Sequence, residues 1–110
     1  MSVLVIRANK RFAVRRSVML REPGGRKRGG LMIELSSEGC RISNVDSRAY
    51  TIDQELTLDL GQGKRLGGRV RWAHDGFVGL KFAAALRQVE LGELIENSRL
   101  GDTREARYGT

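Results

Sequence analysis

The sequence predicts an all-β fold, a six-stranded antiparallel barrel followed by one C-terminal α-helix. Two observations carry this. Short apolar segments with period-two alternation recur at regular spacing from Ser17 to Phe82, separated by turn-forming residues such as Gly, Pro, Asn and Asp. From Ala83 the period changes, and a helix-favouring stretch places leucines along one broad side. Closing six short strands into a barrel removes their exposed edges and leaves the helix to cover an open end or to mediate pairing. A chain of 110 residues makes one domain with a real but small core.

Composition narrows the function. Twenty Lys and Arg against thirteen Asp and Glu give a net charge of +7 and a sequence pI near 10.5. The basic residues are spread along the whole chain, which points to an anionic partner such as nucleic acid, nucleotide or phosphate. A solvated basic surface without a specific partner is the alternative. A single cysteine excludes an internal disulfide, and one histidine with one cysteine cannot build a usual zinc site. The apolar run Val3 to Ile6 is too short for a signal-peptide core or a membrane span. A soluble, cytoplasmic protein with no membrane contact is expected.

Taken in order, residues 7–16 hold five basic residues (Arg7, Lys10, Arg11, Arg15 and Arg16) around Phe12 and Val14. The apolar stripe is too short for a stable helix, so residues 1–16 read as a flexible basic arm, extended or forming a single turn. In a helical turn Arg11 and Arg15 share one side and grip one anion together, and Arg7 and Arg11 have the same spacing. Guanidinium forks match phosphate oxygens and the O6/N7 edge of guanine. The first strand starts at Ser17, with Val18 and Leu20 alternating with Met19 and Arg21. Glu22 to Gly30 reads as a mobile, basic hairpin loop.

Leu31 to Leu35 and Cys40 to Ser43 are the second and third strands. Between them Ser36, Ser37 and Gly39 make a tight connection, with Gly39 able to take a positive φ. Cys40 points inward as a small hydrophobe. Asn44 to Gln54 is irregular, with Val45, Tyr50 and Ile52 as anchors. Leu56 to Leu60 is a half-buried strand, and Gly61 to Lys64 is a turn that lacks the spacing of a phosphate loop. Leu66 to Trp72 places Val70 and Trp72 on one face and Arg69 and Arg71 on the other. His74 to Gly76 turns the chain into a sixth strand carrying Val78, Leu80 and Phe82; His74 is a surface residue there. The barrel with its helix occupies residues 17–97. Leu86, Leu91, Leu94 and Ile95 form the apolar side of a helix from Ala83 to Asn97, in which Gly92 costs about 1 kcal/mol relative to alanine. Residues 98–110 read as a disordered tail. No nucleophile, paired-carboxylate or metal-ligand set stands at usable spacing, so an enzyme is not expected.

Three elements together carry a family resemblance. They are R-x-x-x-R at Arg11 and Arg15; a D/N-x-S-x-x-G-like element at Glu34, Ser36 and Gly39; and a late G-x-V-x-W…V-G-L-x-F stretch at Gly68, Val70, Trp72, Val78, Gly79, Leu80 and Phe82. In this order and spacing the chain resembles a PilZ domain from about Lys10 to Phe82. PilZ domains are six-stranded barrels that commonly bind the bacterial second messenger cyclic di-GMP, often as an intercalated dimer. The resemblance implies a ligand site of Arg11, Arg15, Arg16, Glu34, Ser36 and Gly39, with no cofactor or metal. Arg11 and Arg15 would clamp phosphate and the guanine O6/N7 edge. Glu34 would accept from guanine N1–H and N2–H, Ser36 would add a hydrogen bond, and Gly39 would bring backbone close to the ligand. An arginine arm that orders on binding would then pass the signal to a downstream protein partner.

One position departs from the pattern. Glutamate stands at 34 where the family has Asp or Asn; its carboxylate is one methylene longer and costs more rotamer entropy to fix. The alternative is therefore a degenerate PilZ module that binds a protein and no nucleotide. A small basic barrel binding nucleic acid ranks last, because six aromatics without a stacking row suit bases poorly.

Overall fold

Six antiparallel strands close into a barrel in the order β1-β2-β3-β6-β5-β4, with β4 returning to pair with β1. They are β1 (Phe12–Arg21), β2 (Lys27–Leu35), β3 (Gly39–Ser43), β4 (Glu55–Gly61), β5 (Lys64–His74) and β6 (Phe77–Phe82), followed by α1 (Gln88–Tyr108). The computed structural model describes the backbone of residues 10–108 and side chains as far as Ser98. The Val3 to Ile6 run and Arg7 lie outside the described residues. The inner face is lined by Val14, Val18, Leu20, Met32, Leu35, Ile42, Leu58, Val70 and Val78, all buried. Among the described residues no helix is long and apolar enough to cross a membrane.

The expected barrel is present, but its boundaries differ in three places. The first is β1, which begins at Phe12 rather than Ser17, so residues 12–16 belong to the barrel and not to a single-turn arm. Phe12, Val14, Arg16, Val18 and Leu20 have one parity, and the inward alternation is continuous except for Arg16, which disguises it in the sequence. Arg16 serves this position by reaching across the seam: its Nη2 donates to the Leu60 carbonyl at 2.7 Å, beyond the Met19–Arg21 stretch where β1 pairs with β4.

The second difference is the basic hairpin loop. It contracts to Glu22–Arg26, closed by Glu22 N–H to Arg26 C=O and Gly25 N–H to Glu22 C=O, both 2.8 Å. Gly29 and Gly30 lie within β2. A Cβ on Gly30 would stand 2.6 Å from Ile42 Cγ2, so this glycine marks close packing rather than a turn.

The third is the helix, which starts at Gln88 rather than Ala83 and runs past Asn97, so the helical backbone takes in Ser98–Tyr108, assigned above to the tail. Two backbone donors ahead of the helix are committed to the barrel instead: Ala83 N–H bonds Gly67 C=O at 2.8 Å and Leu86 N–H bonds Ser37 C=O at 2.7 Å. Glu90 Oε1 then accepts from Arg87 N–H at 3.0 Å, capping the first turn. Leu86 and Leu94 are buried and Leu91 and Ile95 pack beside them, so the helix lies against β1 on the core it helps to close.

Candidate functional site

Bulges shape the outer surface around β2. The β1–β2 register shifts between Ala13 and Arg16, and the β2–β3 register shifts between Met32 and Glu34. Bulges bend a strand and re-aim its side chains, and both of these fall between Met32 and Glu34. Paired residues in an antiparallel ladder share a face, so one row crosses the outside of five strands: Ala13, Glu34, Arg41, Gly79 and Trp72.

Glu34 lies directly opposite Ala13, which places Arg11 and Arg15 at its two diagonal neighbours on β1. The backbone from Phe12 is a strand and not a helical turn, so Arg11 and Arg15 do not share one side of such a turn. They bracket the carboxylate instead. Both are exposed. Among the described residues the Glu34 carboxylate has no hydrogen-bond or ion-pair partner. Arg16 stands apart from this group, turned inward to Leu60.

Ser36 and Gly39 build the β2–β3 turn. Ser36 N–H donates to Gly39 C=O at 2.9 Å, and Ser36 Oγ accepts from the N–H groups of Glu38 and Gly39, each at 3.2 Å. The hydroxyl therefore organises its own turn. Gly39 does not use a positive φ, contrary to expectation. Glycine is required there by space: a Cβ would overlap the Leu80 carbonyl of β6. The turn is also tied down from below, because Glu38 C=O accepts from Phe82 N–H at 2.8 Å and Ser37 C=O accepts from Leu86.

Two residues of this surface escaped the sequence reading. Trp72 does not share a face with Val70: the register shifts between them, Val70 is buried in the core, and the indole lies over Gly79, where a Cβ would overlap it. Trp72 also stacks on His74 at 4.9 Å between ring centroids. Arg41 extends over this surface, its guanidinium 4.9 Å from the Phe77 ring centroid and 5.6 Å from that of Trp72. Its polar position between Cys40 and Ile42 signals an outward side chain, yet nothing in the sequence shows the aromatic pair that holds it. Cys40 points inward as expected, and burial pushes its thiol up to about 12.

The closed barrel thus presents the Glu34 carboxylate near arginines, and among the described residues no group of three or more His, Cys, Asp or Glu could hold a metal ion. The family model of the PilZ domain matches residues 6–97. The chain belongs to the PilZ domain family. A comparison with curated proteins gave no match.

Proposed function

We propose that this protein is a receptor for cyclic di-GMP that relays occupancy to a partner protein by contact. The observation that carries the reading is the Glu34 carboxylate, open on the barrel surface and bracketed by Arg11 and Arg15. A carboxylate accepts from guanine N1–H and N2–H, and guanidinium groups neutralise the two phosphates of the ligand. PilZ domains commonly bind this nucleotide, and Glu34, Ser36 and Gly39 occupy the positions of the family's second motif with a glutamate in place of Asp or Asn. Arg11 precedes β1 and is exposed, so its side chain would reach over a bound ligand; Arg16 supports the strand beneath rather than touching the nucleotide.

A second reading has a specific observation behind it. The Ser36 hydroxyl is occupied by two turn N–H groups, and Glu34 is a methylene longer than the residues the motif favours. Both suit an adaptor that binds protein and ignores nucleotide. Calorimetric titration separates the two: saturable heat with cyclic di-GMP and none with GTP supports the receptor, whereas no binding at high micromolar ligand leaves the adaptor.

A further inference from the structure

We infer that Arg41, which lies outside both arginine and serine–glycine motifs, reads the guanine edge together with Glu34 and sets the preference for guanine over adenine; this rests on the receptor reading above. Arg41 of β3 is the direct cross-strand neighbour of Glu34 on one side and of Gly79 on the other. Opposite charges so placed ordinarily pair. Here they do not: among the described residues neither side chain makes an ion pair or hydrogen bond. The Phe77 and Trp72 rings draw the guanidinium toward β6, where the indole itself fills the space over Gly79. Arg41 Nε is buried without a hydrogen-bond partner.

The result is a donor fork and an acceptor carboxylate facing outward from adjoining strands, held from neutralising each other. Guanine has the matching edge, with N1–H and N2–H donors contiguous with its O6 and N7 acceptors. A base seated in the gap presents the donors to Glu34 and the acceptors to Arg41, leaving Arg11 and Arg15 to the phosphates. Adenine places an amino donor where guanine has O6, so it meets the Arg41 fork with the wrong polarity.

The test is titration of the native chain, Arg41→Lys and Arg41→Gln with cyclic di-GMP and with cyclic di-AMP. Lysine keeps the charge and the contact with the rings but loses the planar fork. The expected result is a loss of about tenfold or more in cyclic di-GMP affinity with cyclic di-AMP affinity unchanged, so that discrimination collapses. A cooperative thermal melt verifies that each variant is folded. Equal weakening toward both ligands assigns Arg41 a structural role and overturns the inference. Unchanged cyclic di-GMP affinity in Arg41→Lys overturns it too, and leaves the receptor reading standing. A native chain that binds no cyclic di-GMP overturns both.

Discussion

Two carboxylates on the strands either side of β1, Glu34 on β2 and Asp59 on β4, have arginines for neighbours and opposite fates. Asp59 is saturated. Its Oδ1 accepts from Gly61 N–H at 2.9 Å, and its Oδ2 lies 3.2 Å from Arg21 Nε and 3.5 Å from Arg65 Nε. The Gly61 N–H, with the Arg21 hydrogen bond and the two positive charges, holds its carboxyl below the ordinary value, against a smaller opposing effect of burial. Glu34 has Arg11 and Arg15 at diagonal positions and Arg41 across the strand, and none of them occupies its carboxylate. The backbone makes the difference. β4 enters its turn through Gly61, Gln62 and Gly63, all at positive φ, which folds Gly61 N–H onto Asp59. The register shifts that β2 makes with β1 and with β3 both fall between Met32 and Glu34, and the aromatic rings hold Arg41 aside. The Asp59 carboxylate fastens a seam, whereas among the described residues the Glu34 carboxylate keeps its hydrogen-bonding capacity.

The contrast predicts a division between binding and stability, tested first where the effect is largest. Arg15→Ala and Glu34→Ala each lower cyclic di-GMP affinity by roughly tenfold to a hundredfold, the range for a hydrogen bond to a charged group, and Glu34→Ala does so with little change in melting temperature. Arg26→Ala in the first hairpin leaves affinity unchanged by the same calorimetry. Glu34→Asp restores the family's residue and tightens binding; an equal or weaker affinity would show that the longer side chain suits this site.

Gly39→Ala acts through the fold. The added methyl meets the Leu80 carbonyl, and urea denaturation should show a loss of about 1–3 kcal/mol, the usual cost of overpacking. Asp59→Asn has the smallest effect, a modest drop in melting temperature with no change in ligand affinity. Because the folded carboxyl titrates below its ordinary value of 3.8, its stabilisation is present above that pH and is lost as the pH falls through the lowered value. Native and variant melting curves should therefore converge in acid. Cys40 offers a further check on the core: with its thiol at about 12 and the side chain buried, it should react with thiol reagents only on unfolding.

The barrel was legible in the sequence because alternation survives in most strands, and the Leu56–Leu60 and Val78–Phe82 patterns appear unchanged in β4 and β6. It failed where a residue broke the pattern for a structural reason. Arg16 at an inward position hid the first half of β1, and a bulge moved Trp72 to the face opposite Val70. The helix start was misread because propensity says nothing of the backbone bonds from Ala83 and Leu86 to the barrel. The candidate site was legible in its residue types at Arg11, Arg15 and Glu34. Their extended arrangement was not, since strand register decides which side chains meet. Arg41 required the fold, because its neighbours come from β2, β5 and β6.

Amide chemical-shift mapping during a cyclic di-GMP titration follows the surroundings of both carboxylates at once. A nucleotide site at Glu34 requires saturable shifts at Arg11, Arg15, Glu34, Ser36 and Gly39, with Asp59 and Gly61 still. Shifts centred on β4, or none at saturating ligand, would contradict it.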